Sequence, residues 1–334
     1  MWRYFEMLPV QNKKNIVSLG EGMTPIMRLH NLERKHGFLA LLLKDESFNP
    51  TGSFKARGMA VAVSKMKELG INQCIIPTAG SAGIALAAYC AKAGIHCIVV
   101  MPAHTPANFK KECAQYGAEV VFIDGLISDC AKKANEINSH HDYFDVSTLR
   151  EPYRLEGKKT MGYEIAEQMN WMLPDAIVYP AGGGTGLIAI WKSFQEMIQL
   201  GWISAPLPKM IAVQAENCAP VCAAYNDPLN WKNSFQPKPS IASGLVVPDP
   251  FGMDLMLNVI YESGGDVVVV SEQAILDGIK EIAKTEGMLL SPEGSATWKG
   301  LQILAEKNTI NKSDTVLLLN TGSGNKYPEV LSML

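Results

Sequence analysis

Short apolar, β-branched runs alternate with stretches of helical spacing along most of this chain, and that rhythm limits the fold more than any other property. The runs fall at 39–43, 74–77, 97–101, 120–123, 176–179, 210–213, 267–270 and 316–319. Between them lie 54–69, 82–93, 108–116, 160–169, 187–200, 272–286 and 295–306, each with apolar residues at helical intervals. Parallel strands need a long crossover and a helix supplies one, so the pattern predicts an α/β fold of parallel twisted sheets flanked by helices. Two looser stretches interrupt it. Segment 139–156 is polar and turn-rich, and 225–250 carries several prolines; long loops of this kind serve as crossovers or active-site loops.

Composition removes several classes of function. With 334 residues, 47% hydrophobic, the chain can build a sizeable core. A net charge of −3 lacks the basic excess of a dedicated nucleic-acid binder. Apolar runs 84–91 and 98–101 are too short to span a membrane and are separated by Lys92 and His96. Met1-Trp2-Arg3-Tyr4-Phe5-Glu6 shows no basic region followed by an apolar stretch, so no secretory signal is read and a cytoplasmic location is expected. The seven cysteines (74, 90, 97, 113, 130, 218, 222) form no C-x-x-C pair; free buried thiols are expected, with no metal site. The six histidines form no H-E-x-x-H, and no G-x-S-x-G occurs, so histidine-based hydrolysis finds no support.

Glycine placement is more informative than glycine content. Three times an apolar run leads directly into a small-residue loop: at 75–83, at 177–186 and at 318–324. Ligands of open α/β sheets bind where such loops sit, at the carboxyl ends of strands. In Ala181-Gly182-Gly183-Gly184-Thr185-Gly186 the missing Cβ atoms let backbone N–H groups converge on an anion at the start of a helix. No G-K-[ST] follows, and Leu187 stands where a dinucleotide fingerprint needs its third glycine. The guest is a phosphate other than a nucleotide's, or else the loop is a tight turn.

A second constellation is Asn49-Pro50-Thr51-Gly52-Ser53-Phe54-Lys55. Ser53 reads as an N-cap, which sets Lys55 in the first helical turn. The positive end of the helix dipole makes that lysine easier to deprotonate and a better Schiff-base former, although a lysine taken alone is ordinarily a solvated surface charge. A lysine of this kind, a phosphate cup and no metal ligands together point to one cofactor with an aldehyde and a phosphate: pyridoxal 5′-phosphate.

The chain resembles the threonine synthase family of pyridoxal-phosphate enzymes, with the two-domain tryptophan-synthase-β-like fold (fold type II). The resemblance rests on 19–25 (Leu-Gly-Glu-Gly-Met-Thr-Pro), Lys44-Asp45-Glu46, 49–55, 78–88, 145–162, 179–186, Ser291-Pro292-Glu293-Gly294 and 320–326. It implies that Lys55 is the Schiff-base and proton-moving lysine, and that Gly182, Gly183, Gly184 and Thr185 cradle the cofactor phosphate. Thr321 would face the pyridine nitrogen; a neutral hydroxyl there biases the chemistry toward elimination and replacement. Thr78, Ala79, Ser81 and Ala82 would receive the substrate carboxylate, and Arg154 with Ser147 or Thr148 the substrate phosphate. The implied reaction converts O-phospho-L-homoserine and water to L-threonine and phosphate, and a homodimer is expected.

A serine/threonine dehydratase, another replacement enzyme on a phosphorylated or sulfonated amino acid, and a non-catalytic cofactor-binding protein are the alternatives. Three departures from the family stand out. Ser81 replaces an asparagine that contacts the cofactor's 3′-hydroxyl, the cysteine-bearing N-terminal segment of many relatives is not seen, and Asn325 replaces a leucine. The expected architecture is a large domain of 1–58 plus 151–334 and a small inserted domain of 59–150, with the site in the cleft.

Overall fold

The computed structural model describes residues 1–334, the side chain of Ser234 excepted. Among the described residues the strands, in chain order, are β1 (Ile26–Arg28), β2 (Ala40–Asp45), β3 (Gln73–Pro77), β4 (His96–Pro102), β5 (Glu119–Ile123), β6 (Phe144–Asp145), β7 (Ala176–Pro180), β8 (Lys209–Ala215), β9 (Asp266–Val270) and β10 (Thr315–Asn320). Eight of these coincide with the apolar runs read from the sequence. The two that do not, β1 and β6, have three and two residues, too few to show a period.

The chain divides into two units, Met1–Gly22 with Asn49–Thr160, and Met23–Phe48 with Met161–Leu334. This departs from the expected boundaries, because residues 1–22, 49–58 and 151–160 group with the inserted segment. The cause is packing. Met1, Leu8, Val10 and Val17 share an apolar cluster with Met59, Val63, Ile84 and Leu86. Val17 N–H donates to Ser64 Oγ at 2.8 Å, and the N–H groups of Gln11 and Asn12 donate to the Glu68 carboxylate at 3.0 and 2.8 Å. The N-terminal segment is thus fastened to the helix Lys55–Glu68. The hydrogen bond from Lys65, with those from the N-terminal segment, holds the Glu68 carboxyl down at about 2.

The first unit holds the sheet β5-β4-β3-β6, parallel throughout. Its register sets Ile75 opposite Asp145, so the loops after β3 and β6 leave neighbouring strands at the same end. The second unit holds the sheet β1-β2-β10-β7-β8-β9, parallel except for β1. Leu318 lies opposite Val178, so the loops after β7 and β10 also emerge side by side. Its core gathers Leu41, Leu43, Val178, Val213, Leu318 and Trp298. Among the described residues no helix is long and apolar enough to cross a membrane.

Candidate active site

In the first unit, Asn49 is an extended N-cap to the turn Pro50–Gly52, and its side-chain oxygen accepts from Gly22 N–H at 3.0 Å. Thr51 and Gly52 then both take left-handed φ, +60° and +64°. Such a pair costs energy for the threonine and turns the chain sharply. Ser53 is extended, and the helix Lys55–Glu68 begins one residue later than an N-cap serine would allow, with Phe54 as its cap. The expected Ser53 cap is therefore not made. Its buried Oγ has no hydrogen-bond partner in the protein, an orphaned donor of the kind a ligand satisfies. Lys55 heads the helix half-buried, with Nζ 4.3 Å from the centre of the Phe54 ring. No acidic residue lies in that first turn, where the positive end of the helix faces the lysine.

Two glycines bring a second helix against the first. A Cβ on Gly58 would stand 2.8 Å from the Arg154 carbonyl oxygen, and one on Gly157 only 2.2 Å from that of Arg57. Only glycine permits this backbone approach between Lys55–Glu68 and the start of Tyr153–Gln168. The crossing is tied by Thr160, whose hydroxyl donates to Gly157 O at 2.7 Å and accepts from the fully buried Arg57 at 3.1 Å.

Around this crossing collects a set of charged side chains, most of them buried. Arg154 is 4% exposed; its Nη1 donates to Val146 O at 2.5 Å, while its Nε is buried without a partner. Lys158, one helical turn on, is 1% exposed and 5.7 Å from the centre of the Phe54 ring. Burial, with the positive charges of Arg154 and Lys55, pushes its ammonium well below the ordinary lysine value, against the pull of Glu151. The buried Glu151 carboxylate accepts from Arg154 N–H at 3.1 Å, and burial pushes its carboxyl up. Buried Arg154 and Lys158, with half-buried Lys55 beside them, lie within electrostatic reach of the carboxylates of Glu151 and Asp145, and such a cluster favours an arriving anion. The sequence reading found Arg154 but missed Lys158 and Glu151. The i, i+4 spacing of Arg154 and Lys158 on one helix face was the available signal.

The other residues proposed for the substrate fall nearby in the same unit. β3 leads into Thr78, which is buried and whose Oγ1 accepts from Gly80 N–H at 3.3 Å. The helix Ser81–Ala93 then starts without a side-chain cap or an acidic residue in its first turn. Ala79 is exposed, Ser81 half-buried and Ala82 buried. Gly83 is required there, since a Cβ would lie 2.7 Å from Thr78 Cγ2 and 2.9 Å from Val99 Cγ1. On the adjoining strand end, Ser147 Oγ donates to Asp145 Oδ1, and Thr148 is exposed.

In the second unit, β7 ends at Pro180 and the helix Thr185–Gln199 begins at Thr185 with Gly184 as its cap. Gly184 has φ +68°, and a Cβ there would lie 1.9 Å from Met256 Sδ. At Gly182 a Cβ would meet the Gly244 carbonyl oxygen at 2.4 Å. The proline-bearing stretch 225–250 therefore backs the glycine loop. Gly244 N–H donates in turn to the buried Glu293 carboxylate at 2.8 Å, which also accepts from Tyr327 Oη at 3.0 Å. Burial pushes the Glu293 carboxyl up. Half-buried Gly183 and buried Thr185 complete the loop.

Thr321, also buried, follows β10. Before it, Asn320 Nδ2 donates to Asp45 Oδ1 at 2.8 Å, and its Oδ1 accepts from Ser291 N–H at 3.3 Å. A Cβ on Gly294 would strike that oxygen at 2.2 Å. The Ser291–Gly294 motif is thus a support for the strand end that carries Thr321. A helix start with no side-chain cap, with glycines where side chains cannot fit and no acidic residue in the first turn, fits the phosphate of pyridoxal phosphate.

Comparison with known proteins agrees with this chemistry. Residues 17–322 match the family model "Pyridoxal-phosphate dependent enzyme". Threonine synthase of Methanocaldococcus jannaschii is 35% identical over 98% of this chain and 81% of its own length. Threonine synthase of Methanosarcina acetivorans is 36% identical over 99% and 81%. Among solved structures, the processed form of threonine deaminase isoform 2 from Solanum lycopersicum matches with a TM-score of 0.77 at 19% identity, over 99% of this chain and 92% of that one. Serine racemase from Dictyostelium discoideum matches at 0.73 and 21%, over 90% and 92%. These last two show the shared fold, the tryptophan-synthase-β-like arrangement of helix-flanked parallel sheets. The chain belongs to the pyridoxal-phosphate-dependent enzyme family, among its threonine-synthase-like members, and is a pyridoxal-phosphate-dependent lyase.

Proposed function

We propose that this lyase is a threonine synthase, converting O-phospho-L-homoserine and water to L-threonine and inorganic phosphate. The observation that carries this reading is the buried cationic cluster of Arg154 and Lys158 beside Lys55, with an unsatisfied guanidinium Nε. A phosphorylated substrate brings a dianion that such a cluster is built to receive, and a simple hydroxy amino acid does not.

When bound, pyridoxal phosphate supplies the sink for negative charge at the substrate Cα. The protein's own parts divide the remaining work. Gly182, Gly183 and Gly184 offer backbone N–H groups, and Thr185 a hydroxyl, to the cofactor phosphate. The Thr321 hydroxyl is the partner of the pyridine nitrogen, and Lys55 holds the cofactor's carbonyl carbon. Lys55 Nζ then takes and returns protons at the substrate's Cα and Cβ from its place at the head of the helix. Thr78, Ala79, Ser81 and Ala82 line the carboxylate end of the substrate. Arg154, with Ser147 or Thr148, grips the substrate phosphate, and Lys158 adds positive charge as it departs. The same reading makes the enzyme a cytoplasmic homodimer.

Arg154→Ala separates this from a merely structural arginine. Its expected effect is a kcat/KM for O-phospho-L-homoserine about 10²-fold lower, the scale of an unpaired buried charge, with the bound cofactor's absorption band unchanged. Unaltered kinetics with the phosphorylated substrate, or production of a 2-oxo acid from threonine as the faster reaction, would overturn the assignment.

A further inference from the structure

Cys74, Cys90 and Cys97 lie in three successive elements of one βαβ unit: β3, the helix Ser81–Ala93 and β4. Cys74 and Cys97 are register partners on adjacent parallel strands, so their side chains leave the same face of the sheet. The helix that connects these strands brings Cys90 onto that face. Cys74 Sγ and Cys90 Sγ are 3.6 Å apart, and the three sulfurs all lie within 4.8 Å of one another. The residues are 0%, 1% and 3% exposed, in an apolar cluster with Ile76, Leu86 and Val99. Hydrogen bonds from the other two sulfurs hold the Cys74 thiol well below its ordinary value, while Cys90 and Cys97 are pushed up.

We propose that these three thiols form a site for a soft three-coordinate centre, trivalent arsenic taken up as arsenous acid. The geometry suits one shared centre. With bonds to sulfur of about 2.3 Å, three sulfurs on one atom stand about 3.4–4.0 Å apart; Cys74 and Cys90 already meet this at 3.6 Å, and Cys97 lies within 4.8 Å of both. Charge selects among soft centres. Three thiolates on a monovalent ion carry two negative charges and on a divalent ion one, and a dry apolar core penalises both. Zinc in a structural site also asks for a fourth ligand, and the cluster provides three. Trivalent arsenic leaves a neutral product. As(OH)3 exchanges its three hydroxyl groups for three sulfurs: three As–S bonds replace three As–O bonds, each S–H proton leaves with a hydroxide as water, and no electron is transferred. The spacing 74, 90, 97 hides the site from sequence inspection, because one residue comes from each element of the crossover.

The test is native mass spectrometry of the full chain incubated with sodium arsenite and a phosphine reductant. The expected result is a gain of one arsenic less three hydrogens. Alkylation after denaturation should then leave Cys74, Cys90 and Cys97 unmodified while Cys113, Cys130, Cys218 and Cys222 react. This map needs no variant, so it stands whether or not core substitutions fold. Cys90→Ala should weaken uptake at least tenfold, and Cys130→Ser should leave it unchanged. No mass gain on the folded chain, or a gain that maps to other cysteines, would overturn the proposal.

Discussion

Lys158 is the residue on which stability and function pull hardest against each other. Its ammonium is buried among cations and is held well below the ordinary lysine value near 10.5, chiefly by loss of water. In the unfolded chain the same lysine binds its proton more tightly. Below 10.5 and above its lowered folded value, the unfolded state therefore holds more protons, and stability rises with pH through that window. Lys158→Met should remove this slope and make the cofactor-free protein about 1 kcal/mol or more stabler at neutral pH, while raising KM for a phosphorylated substrate. Urea unfolding across a pH series reads the first effect; an unchanged slope would show that the lysine is not what burial makes it. Ser81 is the other residue of consequence. It heads a helix at the position where the family resemblance leads one to expect asparagine, and a shorter hydroxyl reaches less far. Ser81→Asn should raise turnover, as steady-state kinetics would reveal; equal or lower turnover would mean the serine is already suited to its place.

Among elements, the crossing of Lys55–Glu68 with the start of Tyr153–Gln168 sets the cationic cluster, and Gly157 sets the crossing. A Cβ at 2.2 Å from a carbonyl oxygen cannot be absorbed by a side-chain rotation, so both helix backbones must move. Gly157→Ala should cost about 1–3 kcal/mol in denaturant unfolding and lower affinity for phosphorylated substrate together. Stability lost with substrate affinity intact would separate the crossing from the site. This element was only half legible beforehand. The helical period placed a helix from 160, but its first turn, 153–156, lay in a stretch read as polar loop. Arg154, Glu156 and Lys158 interrupt the apolar stripe because that turn packs charged side chains, although Tyr153 itself packs on the apolar cluster and stacks on Phe144. The helices His30–His36 and Ile127–Asn138 were missed for a related reason, each being polar over most of its length. Ser53 reads as a cap by type, but the left-handed pair at Thr51 and Gly52 shifts the helix start by one residue.

For the molecule as a whole, the alternation of apolar runs and helical stretches was enough to give the fold class, because parallel strands buried on both faces must be continuously apolar. The glycine loops marked the strand ends that matter. Side-by-side strands explain why: β7 and β10 deliver the glycine loop and Thr321 to one edge of their sheet, as β3 and β6 deliver Thr78 and Ser147 in the other unit. Unit boundaries were not legible. They depend on Val17, Gln11 and Asn12 docking on the helix Lys55–Glu68, a contact between segments more than forty residues apart. Nor was the trithiol cluster, which exists only once a strand, a helix and a strand close on one another.

If the buried cations serve a phosphorylated amino acid, its phosphate leaves as water enters at Cβ. The most direct measurement is a paired assay of inorganic phosphate and L-threonine from O-phospho-L-homoserine, run on the purified enzyme with its cofactor. Equal amounts of the two products are the expected result, and neither with Lys55→Ala. Phosphate released without threonine, or no phosphate at all from an enzyme whose cofactor band is intact, would contradict it.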